Sequence, residues 1–250
     1  MSGHSKWSTI KRRKGAEDAK RGKLFTKLTR AIIIAAREGG PDPEANVTLA
    51  NAIAKARSYS MPKDNIERAI TRATGGGEGS DAYEPISYEG YGPDGVAIIV
   101  EALTDNRNRT AADVRSIFAK HNSSLGTPGS VAWQFDRMGM IEVTAEGVDE
   151  DELTLAAADA GAEDVQVDGG SFRVTTMPAD LAAARDALEE AGYPIESAEL
   201  TMVPKNTVSL EEDSARKLLR LIDGLEDLDD VQDVYANFDI PDAVLEAVAG

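Results

Sequence analysis

The first third of the chain alternates apolar and charged positions with a helical period. Taking about 100° per residue from Lys20, the residues Ala31, Leu24, Ala35, Leu28, Ile32 and Phe25 fall between roughly 20° and 140°. Arg37, Arg30, Lys23, Lys27 and Lys20 fall between roughly 260° and 360°, so this segment predicts a helix with one core face and one basic face. Ile33 and Ile34 break the division and are expected to meet a neighbouring helix or domain, and Gly39-Gly40-Pro41 ends the helix. A second helix is predicted over 43–57 with Leu49, Ile53 and Ala56 inward, and a third over 62–74 with Ile66, Ala69, Ile70 and Ala73 inward.

Past the flexible composition of Gly75-Gly76-Gly77-Glu78-Gly79-Ser80 the period shortens to that of strands. Strands are expected around Ile86–Tyr88, Val96–Leu103 and Val131–Phe135, with a helix between the last two that starts near Thr110 as N-cap. From Met140 the order reads strand, helix opened by Asp149, strand, strand, helix, strand, which is the β-α-β-β-α-β order of ferredoxin-like modules. A last helix is predicted from the capping box Ser209-Leu210-Glu211-Glu212 to a stop at Gly224, followed by a strand over 231–235. These two elements lack partners in the ferredoxin-like module and complete the α/β domain begun at residue 80. The expected architecture is therefore multi-domain, α and α+β: a three-helix domain over 1–79, an α/β domain over 80–136 plus 205–250, and a ferredoxin-like domain over 137–204 inserted into it.

Composition sharpens this picture through charge. The formal net charge is −17, yet residues 1–75 hold 16 basic against 7 acidic side chains, and the rest hold 11 against 37. The chain thus carries +9 at its amino end and −26 elsewhere, a pattern that points to polyanion contact by one end. The absence of cysteine excludes disulfides and thiolate chemistry and fits a reducing, cytoplasmic compartment. No apolar run approaches the ~20 residues of a membrane span, and no secretory h-region follows the start, so no membrane partner is expected.

The candidate chemistry is phosphate binding. Lys6, Lys11, Arg12, Arg13, Lys14, Lys20, Arg21, Lys23, Lys27 and Arg30 form a polybasic arm running into the basic helix face, with Trp7 placed to stack on a base or to anchor on the bundle. A second cluster, Arg107, Arg109, Arg115 and Lys120, follows Thr104-Asp105-Asn106 at the start of a helix whose N-terminus favours anions. Each cluster has a plainer reading, as a solvated helix face or a polar turn, and the basic face also fits a protein-binding adaptor that docks on an acidic partner without nucleic acid. Gly90-Tyr91-Gly92-Pro93-Asp94-Gly95 has the spacing of a dinucleotide fingerprint but precedes a strand instead of a helix, so it reads as a turn. Two histidines, His4 and His121, make neither a metal cluster nor a nucleophile–base pair, and the carboxylates over 226–230 read as a solvated acidic loop. No catalytic residue, cofactor or metal is expected, and the chain reads as non-enzymatic.

Seven segments carry a resemblance: Gly3-His4-Ser5-Lys6-Trp7, Asp18-Ala19-Lys20-Arg21-Gly22-Lys23, Ala36-Arg37-Glu38-Gly39-Gly40, Met61-Pro62-Lys63-Asp64-Asn65-Ile66, Tyr88-Glu89-Gly90-Tyr91-Gly92-Pro93, Thr104-Asp105-Asn106-Arg107-Asn108-Arg109-Thr110 and Asp229-Asp230-Val231-Gln232. In this order, nearly end to end, they resemble the YebC/PmpR family, which includes the mitochondrial translational activator of cytochrome c oxidase. The resemblance implies a helical domain and two α/β domains, one nested in the other. It also implies regulation of gene expression through DNA, or through ribosomal RNA and the ribosome in translation. Two segments depart from the family's pattern. His121-Asn122-Ser123-Ser124-Leu125 replaces a common glycine pair, and Asn46-Val47-Thr48-Leu49-Ala50 lacks a basic residue often found there.

Overall fold

A computed structural model describes residues 18–74, 83–168, 170–241 and 244. Three helices come first: α1 (Asp18–Gly39), α2 (Val47–Ser58) and α3 (Lys63–Thr74). Then follow β1 (Glu84–Tyr91), β2 (Ala97–Thr104), α4 (Arg107–Lys120), β3 (Ser124–Leu125), β4 (Phe135–Thr144), α5 (Glu150–Asp159), β5 (Ala162–Asp168) and β6 (Ser171–Thr176). The chain continues with α6 (Leu181–Glu190), β7 (Ile195–Pro204), β8 (Val208–Ser209), α7 (Glu212–Glu226), β9 (Val231–Ala236) and β10 (Phe238–Asp239). Their described residues form two compact units. One draws on the segments up to Ala31, Gly76–Asp136 and from Val203 onward, and the other on Ile32–Gly75 and Arg137–Met202.

In the first unit the sheet order is β3-β1-β2-β9. β2 is antiparallel to β1 on one side (Glu84 opposite Thr104) and to β9 on the other (Ile98 opposite Ala236). The strand that follows α7 in sequence therefore completes a sheet opened more than a hundred residues earlier, which is the nested topology expected from the unpartnered helix and strand. Ile98, Val100 and Ala102 of β2 pack with Val114 and Phe118 of α4 and with Leu218, Leu221, Ile222 and Leu225 of α7 in one buried core. Gly224, expected to stop α7, lies inside it. A Cβ there would come within 3.2 Å of the Ile117 side chain, so the glycine lets α4 and α7 approach, and the helix runs on to Glu226. Ser209 is likewise not the cap of α7, because it pairs with Asp239 in a short parallel ladder that draws it into a strand.

In the second unit the sheet order is β5-β6-β4-β7, with β6 antiparallel to both β4 and β5. This is the ferredoxin-like arrangement. Leu153 and Ala157 of α5 and Leu181, Ala184 and Leu188 of α6 bury against Ile141, Val143, Phe172 and Val174 of the sheet. Asp149 caps α5 as expected, accepting from the amides of Asp151 and Glu152, each at 3.0 Å. The helical segments of this unit bury Ile32, Ile33, Ile34, Leu49, Ile53 and Ile66, so Ile33 and Ile34 are core residues.

Helix α2 begins at Val47, four residues later than the apolar pattern suggested, because the buried Asn46 takes the N-cap position. Its Oδ1 accepts from the Leu49 amide at 3.1 Å while its Nδ2 donates to the carbonyls of Ala35 and Gly40, each at 2.8 Å. One amide side chain thus closes both the end of α1 and the start of α2. Gly39 must lack a side chain here, since a Cβ would lie 2.6 Å from the Asn46 amide. Where the family's glycine pair is replaced, Asn122 adopts φ +52°, and the amides of Asn122 and Ser123 close α4 onto the carbonyls of Ala119 and Phe118. Asparagine tolerates this left-handed conformation better than most residues, so the turn forms without a glycine there.

Of the strand expected over 131–135, only Phe135 belongs to one. Ala132–Gln134 form a turn of 3-10 helix and β4 starts only at Phe135, because the Glu89 carboxylate captures the backbone. Glu89 is buried on β1 and accepts from the amides of Gly129 (2.6 Å), Val131 (2.7 Å) and Ala132 (2.8 Å). Burial alone would raise its pKa, but the three donors outweigh that and hold it below the usual carboxylate value.

A carboxyl group whose folded pKa is depressed stabilises the fold fully above its unfolded pKa, and the contribution is lost as pH falls through the folded value. Glu89→Gln is expected to flatten part of the loss of stability as pH falls below the ordinary glutamate value of 4.5 in denaturant melts, relative to the parent chain. Glu89→Ala, which orphans three donors, is expected to cost about 3–5 kcal/mol at neutral pH.

Candidate nucleic-acid interface

The sequence placed its strongest phosphate-binding signal in the arm and on the basic face of α1. Lys6, Trp7, Lys11, Arg12, Arg13 and Lys14 lie outside the described residues, as do the side chains of Lys20 and Arg21. The three cations that follow are turned toward the end of α7. Lys27 Nζ donates to the Glu226 carbonyl at 2.5 Å, and Lys23 Nζ to the Asp227 carbonyl at 3.3 Å. Arg30 Nη1 donates to the Asp229 carbonyl at 2.7 Å and to Asp230 Oδ1 at 3.2 Å, with its guanidinium 4.9 Å from the centre of the Tyr83 ring.

The cause is the chemistry of a helix C-terminus. The last carbonyls of α7 have no intrahelical partner and carry the negative end of the helix dipole, while its final turn has no basic residue of its own. Lys23, Lys27 and Arg30, spaced at three and four residues along α1, form one stripe that supplies the missing donors. Burial lowers the Lys27 pKa, against the opposing attraction of Glu226, Asp233, Asp229 and Asp227.

Asp230 corrects the expectation of a solvated acidic loop over 226–230. It is only 7% exposed. Its Oδ2 accepts from Arg109 Nη2 at 2.8 Å, Thr110 Oγ1 at 2.7 Å and Thr104 Oγ1 at 3.4 Å, and its backbone carbonyl accepts from the Leu103 amide at 2.8 Å. Burial would push the Asp230 pKa up, but hydrogen bonds from Arg109 and Thr110 and the charges of Arg109 and Arg30 bring it below the usual value. The same contacts raise the Arg109 pKa, Asp230 acting first and Asp105 second.

Thr110 is therefore not the cap of α4. It is buried, and the helix opens at Arg107 with Asn106 as N-cap, whose Oδ1 accepts from the Arg109 amide at 3.1 Å. The second basic cluster divides accordingly. Arg109, though still about half exposed, pairs with Asp105 and Asp230, and Arg107 pairs with Glu84 at 2.8 Å. Arg115 and Lys120 are exposed on α4 and form no ion pair among the described residues. His121 closes the C-terminal end of that helix, and burial together with the positive charges of Lys120 and Arg220 holds its pKa below the usual imidazole value. Among the described residues no group of acidic or histidine side chains is arranged to hold a metal ion, and no helix is long and apolar enough to cross a membrane.

Comparison with known proteins places these residues in context. Residues 5–76 match the N-terminal domain of the TACO1/YebC protein family, and residues 83–238 match its second and third domain. A protein of Rubrobacter xylanophilus named a probable transcriptional regulatory protein is 62% identical over the whole of both chains. One of the same name from Acidothermus cellulolyticus is 56% identical over 99% of this chain and all of its own. The crystal structure of a conserved hypothetical protein from Aquifex aeolicus superposes with a TM-score of 0.80 at 49% identity, covering 90% of this chain and 92% of that one.

The geometry separates structural from available cations. Asp230→Ala is expected to destabilise the chain by about 2–4 kcal/mol in chemical denaturation, because Arg30, Arg109 and Thr110 lose a shared acceptor. Lys27→Ala is expected to lower stability by about 1 kcal/mol through the orphaned end of α7 while changing polyanion affinity by less than about twofold, which titration of a labelled duplex checks.

Proposed function

The chain belongs to the TACO1/YebC family, and from that premise, joined to its charge distribution, we propose that it is a non-enzymatic, nucleic-acid-binding regulator of gene expression acting on DNA in the cytoplasm. The observation that carries the reading is the surplus of nine positive charges in residues 1–75 of a chain whose remainder carries −26. At physiological salt, charges separated by more than about 8 Å are largely screened, so a basic segment attracts phosphate while the acidic surfaces repel it elsewhere. The relatives' names, probable transcriptional regulatory proteins, support the same class.

Within this reading Lys6, Lys11, Arg12, Arg13, Lys14, Lys20 and Arg21 neutralise phosphates, and Arg115 and Lys120 give a second contact. Lys23, Lys27, Arg30, Arg107 and Arg109 have a smaller share, since each already has an internal acceptor. Phosphate contacts position a protein without reading sequence, so regulation of particular genes needs a further determinant.

A ribosomal RNA target is the second reading, and one observation favours it. Among the described residues Lys23, Lys27 and Arg30 of α1 are engaged at the end of α7, which leaves these three less available to a duplex major groove.

The test is affinity for duplex DNA and for ribosomal RNA as a function of salt. The parent chain is expected to lose affinity with a log–log slope near −0.9 per neutralised duplex phosphate, and changing Lys11, Arg12, Arg13 and Lys14 together to alanine is expected to reduce the slope by about 3–4. Unaltered binding and slope in that variant would overturn the reading. Retention on ribosomes without duplex binding at matched salt would select the RNA target over DNA.

A further inference from the structure

Trp133 is the one large hydrophobic side chain left exposed in its unit among the described residues, at 66% exposure. Its position is held from several sides. The indole Nε1 donates to the Ser130 carbonyl at 3.1 Å, and the Tyr91 hydroxyl donates to the same carbonyl at 2.9 Å. The residues before it are clamped by the Glu89 carboxylate, which takes the amides of Gly129, Val131 and Ala132. The residue after it, Gln134, accepts from the Lys205 amide at 2.8 Å through its carbonyl and from Asn237 Nδ2 at 3.1 Å through its side chain. A large aromatic ring is thus fixed outward on a braced turn, with its only polar group already satisfied by its own backbone.

We propose that Trp133 is a stacking platform for an unpaired nucleobase, a site separate from the phosphate-binding arm. The inference rests on the nucleic-acid reading above and specifies which part of the polymer this surface takes. An indole with its N–H occupied offers only its π-face, which is what a planar base requires and which every base satisfies. A protein-binding hot spot has a different setting, a ring at the centre of an apolar patch that keeps water out. Around Trp133 the exposed neighbours in sequence within this unit are Thr127, Pro128, Gly129, Ala132 and Asp136, small or polar, the last paired with Lys205 at 3.1 Å, and no second large apolar side chain of this unit is exposed among the described residues. Preorganisation by Glu89, Ser130 and Gln134 removes the ordering cost that a mobile loop would carry on binding. Bases within a duplex are already stacked on their neighbours, so the platform selects single-stranded or looped segments.

The experiment measures affinity of the full chain for a single-stranded RNA, a single-stranded DNA of the same sequence, the corresponding duplex, and an abasic strand of equal length that keeps the phosphates. Trp133→Ala is expected to weaken binding to the single strands about tenfold and to leave duplex and abasic affinities unchanged. Trp133→Phe is expected to retain most of the affinity, and Trp133→Leu, which keeps apolar bulk without a π-face, to lose as much as alanine. Loss on RNA alone or on both single strands identifies the source of the base, and either outcome supports the platform. Single-strand affinity unchanged in Trp133→Ala, with the parent chain binding normally, overturns this proposal alone, as does an equal loss on the abasic strand. A parent chain that binds none of the four probes overturns the nucleic-acid reading itself. The ring is exposed, so an unchanged melting transition is expected to verify that each variant folds.

Discussion

A carboxylate taken out of water costs several kcal/mol unless charge and hydrogen bonds replace the solvent, and Asp230 meets that requirement only by gathering side chains from elements far apart in sequence. Arg30 arrives from α1, Thr104 from the end of β2, and Arg109 and Thr110 from the first turn of α4. Its own backbone continues the β2–β9 pairing through Leu103. The position of Asp230 therefore fixes the register of β9, the start of α4 and the rotation of α1 together. None of these can shift without stranding a buried charge.

The end of α7 extends the same constraint. Its carbonyls and the acidic turn that follows would repel one another, and Lys23, Lys27 and Arg30 resolve that repulsion from a helix nearly two hundred residues earlier. Some of the positive surplus at the amino end is thus a structural counter-charge for the acidic carboxyl-terminal part. On the reading proposed above, phosphate contact falls to the cations from Lys6 to Arg21 and to Arg115 and Lys120 of α4. One use of the charge asymmetry is therefore internal, the neutralisation of the end of α7 by α1.

Glu89 applies the same chemistry to a loop. Three amides on one buried carboxylate rigidify a turn that would otherwise join β4, and the result is a fixed surface in place of a strand extension. Two buried acids in one unit therefore set its internal geometry and its presented surface. This explains how a chain so rich in exposed acidic groups still has a well-defined polar interior.

Most element types, though not the strand expected over 131–135, the nested order of the two sheets and the charge division were legible from the sequence, because each depends on local periodicity, on turn residues or on counting. The helical period of 20–37, the buried run of β2 and the β-α-β-β-α-β order needed no knowledge of distant contacts. Tertiary structure alone decided which polar groups point inward. Asn46, Thr110 and Ser209 carry side chains suited to helix caps. The cap went to Asn46 where its amide also reached Ala35 and Gly40, and was withheld from Thr110 and Ser209 where Asp230 and Asp239 supplied other partners. Lys27 and Lys120 look alike in sequence, yet one faces the carbonyls of a helix end and the other faces water. The physical reason is that periodicity reports which face of an element is apolar, whereas the partner of a charge depends on which chain ends the fold brings within hydrogen-bonding distance.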